Sequence, residues 1–346
     1  MSTDSLGFLN GVGELPEQLA AAHEAALGIS SSDLPPAGEI DNVVIVGMGG
    51  SGIAGDVVRA VAGGELSVPI TVLKQMRVPA FVGSRTLVFA VSYSGRTEET
   101  LSMASGCLDA GAHLVAVTCG GELGALARAR GAMIVPCPEG YMARAALGAL
   151  IAPMLCALYC MGLMPDAQAL LVKAQEQLSR RRDACRPEVE GVENPAREIA
   201  RRIDRTIPLI YGGGALGAVA AYRWKCGVNE NAKAPAFWNA YPELDHNEIS
   251  GWGQHGDVTR QIFTLVELRH GFEHERLAPR FAITTELVEE ALNQVISVSA
   301  QGEGRLAQLL DLMYLGDWVS CYLALANDVD PGPIDAIAQL KERLRA

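Results

Sequence analysis

Residues 43–60, VVIVGMGGSGIAGDVVRA, hold a short β-branched run, then Gly47, Gly49 and Gly52 in G-x-G-x-x-G spacing, then small residues suited to a helix. Strand, tight turn and helix in that order are the repeating unit of an α/β domain. The same order returns at residues 207–225, IPLIYGGGALGAVAAYRWK, which predicts a structural duplication. Around the first copy, near-continuous apolar runs predict strands at 43–47, 70–73, 86–92, 113–118 and 132–136. Such runs suit parallel strands covered by helices on both faces. Around the second copy, runs at 262–266, 281–284 and 295–298 predict another parallel sheet, with a long helix near 305–325 packed against it. The expected fold is α/β, with two tandem doubly wound parallel-sheet subdomains.

Bulk properties agree with two packed units. A chain of 346 residues exceeds the size at which one core usually keeps growing. Its 49% hydrophobic and 20% charged residues exclude a disordered chain. A net charge of -12 with no Lys/Arg block argues against nucleic acid and anionic membrane as partners. The eight cysteines show no C-x-x-C pairing, and the opening MSTDSLGFLN has neither the basic start nor the apolar run of a secretory signal, so a cytoplasmic location is expected. Cys156 and Cys160 lie four apart in an apolar stretch and read as core residues, so no metal is expected. Residues 145–164 carry no charge and are long enough to span a bilayer. Pro153 and the many small residues favour a buried helix instead.

Four segments are expected. Residues 1–38 hold a helix near 15–27 and a turn-rich linker, SSDLPPAG; 39–165 form the first α/β domain. Residues 166–192 make a helical linker, and 193–346 the second domain with C-terminal helices. Asn194 and Pro195 suit the N-cap and first turn of a helix that opens the last segment.

The first glycine loop alone would invite a dinucleotide, yet the second strand leads into ITVLKQMRV (70–78), which offers Lys74 and Arg77 where an acidic ribose ligand is wanted. An NADP-dependent oxidoreductase therefore stays open only as an alternative. A second account uses Gly49, Gly50 and Ser51 as a turn that lets a small polyol approach a helix start. The run VFAVSYSGRTEETL (88–101) is more informative. It sets Ser92, Ser94 and Thr97 between a buried strand and a helix, where hydroxyls, N–H groups and a helix dipole converge as a phosphate requires. The plainer reading is N-capping by Ser or Thr.

With GMGGSG and SYSGRTEET in this order, the first half resembles the sugar isomerase (SIS) domain family. The run RWKCGVNENAKAPAFWNAYPELDHNEISGW (223–252) and the terminal VDPGPIDAIAQLKERL (329–344) resemble the bifunctional phosphoglucose/phosphomannose isomerases, a tandem SIS family. The resemblance implies that Gly49, Gly50 and Ser51 line the sugar site and that Ser92, Ser94 and Thr97 hold a phosphate. It implies Glu230 as catalytic base, Arg144 against C1 and C2, and His246 and Lys341 in ring opening. It further implies a phosphosugar substrate, no cofactor, and a homodimer whose histidine segment reaches the neighbouring copy's site. Arg96 stands where a smaller polar residue is expected.

The chemistry suits these residue types. Aldose–ketose interconversion moves a proton between adjacent carbons through an enediol, a task for a carboxylate such as Glu230. Arg144 is permanently charged and can stabilise a developing oxyanion. An imidazole titrates near neutrality, so His246 fits proton transfer at the ring oxygens, with Asp245 and Glu248 expected to orient it. A catalytically silent sugar-phosphate-binding protein is the remaining alternative, because fold does not guarantee turnover.

Overall fold

The computed structural model describes residues 4–345. They form two compact units, one of residues 14–176 with 304–307, the other of residues 4–13, 177–303 and 308–345. Numbering follows the chain: α1 (Phe8–Gly13) belongs to the second unit, and α2 (Leu15–Ala26) opens the first.

The first unit continues with β1 (Asn42–Val46), α3 (Gly49–Ala62), β2 (Ile70–Leu73), β3 (Thr86–Val91), α4 (Glu98–Asp109), β4 (His113–Thr118), α5 (Gly121–Ala129), β5 (Met133–Pro136) and α6 (Leu147–Cys160). Its strands pair in parallel in the order β2-β1-β3-β4-β5. Val43–Val46 and Leu87–Val91 are buried on both faces, which is why they read as unbroken apolar runs rather than alternating ones. All five strands fall within a residue of their predicted ends.

The uncharged stretch at 145–164 becomes α6, buried from Leu147 to Leu158 against α2 and α3. Gly148 permits the contact: a Cβ there would lie 2.9 Å from the Leu19 amide nitrogen, so any side chain would force α2 away. The one helix among the described residues long and apolar enough to cross a membrane is another, Arg305–Ala326, and it is mostly buried inside the protein.

α7 (Ala167–Cys185) runs through the division between the units. The second unit then has α8 (Pro195–Ile203), β6 (Ile207–Gly213), α9 (Gly214–Gly227), β7 (Phe237–Tyr241), α10 (Gly256–Ile262), β8 (Phe263–Arg269), α11 (Leu277–Val288), β9 (Gln294–Ser299), α12 (Arg305–Ala326, which starts in the first unit) and α13 (Asp335–Arg345). Its sheet is also parallel, in the order β7-β6-β8-β9. Asn194 caps α8, accepting from the amides of Ala196 and Arg197 at 3.1 Å each, and Pro195 fills the first turn.

One expectation for this sheet is corrected, and one strand was not foreseen. Residues 281–284 are not a strand: they lie in α11, where Leu277, Phe281, Thr284 and Val288 share one buried helical face. A four-residue apolar run cannot separate strand from helix, and the flanking periodicity decides. The true fourth strand, β7, went unseen because Pro235 and Pro242 bracket it and its edge position leaves Phe237 and Trp238 exposed.

Two buried ion pairs hold the helices of this unit. Asp311 on α12 is fully buried and accepts from Arg181 Nε and Nη2 on α7 at 2.7 and 2.8 Å. Gln177 and the Gln301 amide also donate to it, at 2.8 and 2.7 Å. Arg223 on α9 pairs with Asp317 on α12 at 2.8 and 3.0 Å.

Candidate functional site

In the first unit, the strand order reverses between the parallel neighbours β1 and β3, a topological switch point where the loops leaving the carboxyl ends of two adjacent strands diverge. Val46 pairs with Ala90, so the glycine loop and the serine loop emerge side by side. A Cβ on Gly47 would lie 3.0 Å from the Val91 carbonyl oxygen, and one on Gly52 2.6 Å from that of Gly47. Gly49, at φ +51°, lets the chain turn, and the space where its Cβ would stand is open. The second glycine loop repeats this geometry: Gly214 has φ +60°, and a Cβ on Gly212 would lie 2.0 Å from the Gly217 oxygen. Outer glycines at both loops thus serve the strand-to-helix turn itself, while Gly49, Gly50 and Ser51 sit at the accessible start of α3.

The serine loop departs from plain capping. Thr97 occupies the N-cap position of α4 with extended backbone, yet its side chain caps nothing. Its hydroxyl instead faces the buried Ser92 hydroxyl at 3.2 Å. The first turn of α4 is left with amide groups that no side chain satisfies, at the positive end of the helix dipole. Ser94 is exposed and accepts from the Arg96 amide at 3.3 Å; the Arg96 side chain is exposed too. Gly95, at φ +64°, has no room for a Cβ, which would lie 1.9 Å from the Gly120 oxygen. Two hydroxyls, free amides and a dipole on one loop can hold a tetrahedral anion.

Lys74, one of the two cations on which an NADP reading depends, donates to the Asp56 carboxylate on α3, and Arg59 adds to the pair at 3.6 Å; the other, Arg77, is exposed. Lys74 is engaged between strand and helix, which removes one of the two supports for a 2′-phosphate site.

Arg144 lies in a turn just before α6, closed by the Ala145 amide donating to Met142 at 2.8 Å. The neighbouring Ala143 carbonyl stands 3.7 Å from where a Gly50 Cβ would be. The turn carrying Arg144 therefore packs on the glycine loop, a proximity that sequence spacing does not reveal.

In the second unit, Glu230 sits half-buried on a π-helical turn, Val228–Ala232, that closes α9. Such turns are frequent at functional sites because they re-aim side chains. Its neighbours fix the turn: Asn229 donates to the Ala234 carbonyl at 2.9 Å, and Asn231 to Ser320 Oγ at 2.8 Å. Lys233 ends the turn in a left-handed conformation, φ 52°, and Nζ donates to the carbonyls of Asn231 and Asp330 at 3.2 and 2.6 Å. Burial opposes the Arg223 charge, but Asp317, with Glu230 behind it, holds that guanidinium above its usual range. A cavity of roughly 530 Å³ is lined by Asn229, Glu230 and Lys233 with Asp330, Pro333 and Ile337.

Lys341 is exposed further along α13 and does not line this cavity. His246 is exposed at the end of a short 3-10 turn and has no hydrogen-bond partner among the described residues. The expected orienting groups are engaged elsewhere: Asp245 accepts from Arg280 at 2.8 Å and from Thr284 at 3.0 Å, while Glu248 accepts from Tyr211 and Asn239. That expectation is corrected; both carboxylates brace the fold around β7 and α11.

Lys233 was missed although it lies within the NENAK run, because nothing local tells a surface lysine from one whose ammonium ties a π turn to a distant loop. Among the described residues, no group of three or more His, Cys, Asp or Glu side chains could hold a metal ion.

Residues 192–344 match the family described as bacterial phospho-glucose isomerase C-terminal SIS domain. The bifunctional phosphoglucose/phosphomannose isomerase of Caldicellulosiruptor bescii is 37% identical over 330 residues, 95% of this chain and 96% of that one. That of Aquifex aeolicus is 33% identical over 91% of this chain and 93% of its own. Among solved structures, a glucose-6-phosphate isomerase-like protein from Thermus thermophilus shares the fold, with TM-score 0.60, 20% identity, and 96% and 95% of the two chains covered.

Proposed function

This chain belongs to the bifunctional phosphoglucose/phosphomannose isomerase family, and on that premise we propose that it interconverts glucose 6-phosphate, and mannose 6-phosphate, with fructose 6-phosphate. The substrate phosphate binds Ser92, Ser94 and Thr97 and the uncapped amides of α4. Gly49, Gly50 and Ser51 pass along the sugar. After ring opening, assisted by His246 and Lys341, Glu230 takes the proton from one of the two carbons and returns it to the other. Arg144 stabilises negative charge on the oxygen as the enediol forms, without itself titrating. Acceptance of both C2 epimers follows if the proton can be returned to either face of a planar enediol.

The observation that carries the reading is the serine loop, where Thr97 turns from its helix towards Ser92 and leaves the α4 amides open. The double variant Ser92→Ala/Thr97→Val should raise KM for fructose 6-phosphate by roughly tenfold or more, as loss of hydrogen bonds to a charged group requires, with a smaller change in kcat. A coupled assay reads both. An unchanged KM removes the phosphate from this loop, and a wild type no faster than Glu230→Gln makes the protein a silent sugar-phosphate binder.

The working form is a homodimer in which His246 serves the neighbouring copy's site; its exposure, with no hydrogen-bond partner among the described residues, supports this. Inactive His246→Ala and Glu230→Gln proteins, mixed and allowed to exchange subunits, should recover part of the wild-type activity. No recovery, with exchange verified by sedimentation of tagged copies, contradicts a shared site. All eight cysteines are free thiols, which suits the cytosol.

A further inference from the structure

Two thiols beside the serine loop have no part in the isomerase reading. β4 and β5 run in parallel with Thr118 opposite Pro136, so the residues that follow, Cys119 and Cys137, face each other at the carboxyl ends of the strands. The Cys137 amide donates to the Thr118 carbonyl at 3.2 Å, extending the ladder one step to the cysteines. Neighbouring strands lie about 4.8 Å apart, inside the span of roughly 4.4–6.8 Å between Cα atoms that a disulfide bridges. The Cys119 thiol donates to the Pro138 carbonyl at 3.6 Å, one residue past Cys137, and the two thiols lie near enough to shift each other's titration. Cys119 is partly exposed, whereas Cys137 is buried.

The chain next to each cysteine presses on the serine loop. The Cys119 amide donates to the Tyr93 carbonyl at 3.1 Å. The Tyr93 hydroxyl donates to the Pro138 carbonyl and accepts from the Tyr141 amide, both at 3.0 Å. Gly120 lies so close to Gly95 that no Cβ fits between them. Closing the two sulfurs to bonding distance removes the Cys119 thiol's hydrogen bond to the Pro138 carbonyl and acts on Gly120 and Pro138, the two chain segments that touch the serine loop.

We propose that Cys119 and Cys137 are a modifiable dithiol that closes to a disulfide under peroxide and thereby weakens anion binding at Ser92–Thr97. The second half of this inference rests on the serine loop being the phosphate site; the first half does not. The Cys119 sulfur attacks one peroxide oxygen, the O–O bond breaks, and one water leaves with the thiol proton, giving a sulfenic acid. The Cys137 sulfur then attacks the sulfenic sulfur; the S–S bond forms, the S–O bond breaks, and the oxygen departs as a second water carrying the Cys137 proton. One peroxide is thus reduced to two waters and two thiols oxidised to one disulfide. Polarity favours this order, since the neighbouring Cys137 holds the Cys119 thiol below its usual range, while Cys119 and burial push Cys137 up.

The test treats the full-length protein with hydrogen peroxide, blocks remaining thiols, and maps peptides by mass spectrometry without reductant. Expected is a cross-linked pair carrying Cys119 and Cys137, short of two hydrogens, absent from Cys119→Ser and from Cys137→Ser. Inorganic phosphate should then bind the oxidised protein roughly fivefold or more weakly by calorimetry, with affinity restored by dithiothreitol. Oxidation of Cys119 to sulfinic acid with Cys137 still free overturns the dithiol. A disulfide with unchanged phosphate affinity overturns the coupling. If the reduced protein binds no phosphate, the coupling falls together with the serine-loop reading, while the peptide map still decides the dithiol.

Discussion

Glu230→Gln should lower kcat for fructose 6-phosphate by roughly 100- to 10,000-fold, the range that a positioned general base contributes, with little change in KM. Glutamine keeps the length and shape of the side chain but cannot accept the proton. The π turn that carries it is held by Asn229 on Ala234, Asn231 on Ser320 and Lys233 on Asp330, so the substitution has no reason to move the backbone. A surface glutamate would behave differently, its replacement leaving both constants near wild type. Stopped-time conversion with a melting curve on the same preparation separates lost chemistry from lost fold. A variant that melts like wild type and turns over at its rate would falsify the assignment of the base.

Asp311→Ala is expected to have the largest effect on stability, a loss of about 3–5 kcal/mol, because it strands a buried guanidinium. Arg181 is nearly as buried as Asp311, and burial works against its charge until the carboxylate restores it. Gln177 and the Gln301 amide lose their acceptor at the same time. Urea unfolding followed by tryptophan fluorescence measures the loss. The double variant Arg181→Met/Asp311→Leu, which removes both charges and keeps apolar volume, should recover the part due to the stranded guanidinium but not the part due to the Gln177 and Gln301 donors. A single variant within about 1 kcal/mol of wild type would mean that water reaches the pair and that α7 and α12 are held by apolar packing alone.

The same contrast between local and long-range information explains what the chain disclosed. The first sheet was legible because its strands are buried on both faces and carry that burial as unbroken Val, Ile and Leu runs. The two glycine loops were legible because a strand-to-helix turn this tight excludes a Cβ at Gly47, Gly52, Gly212 and Gly217. Residues 281–284 misled because a run so short fits either period, and β7 hid between prolines. The serine loop's position could be read, but not that Thr97 turns away from capping, since that depends on where the Ser92 hydroxyl stands. Arg144 beside Gly50, Lys233 on Asp330 and Cys119 opposite Cys137 are products of register and packing between distant segments. Asp245 and Glu248 looked like partners for His246 by adjacency alone, yet α11 and β6 hold them through Arg280, Thr284 and Tyr211.

The most direct measurement is a crystal structure of the protein soaked with fructose 6-phosphate. The account predicts phosphate oxygens about 3 Å from Ser92 Oγ, Thr97 Oγ1 and the first amides of α4. A phosphate bound elsewhere, with the serine loop left to solvent, would contradict it.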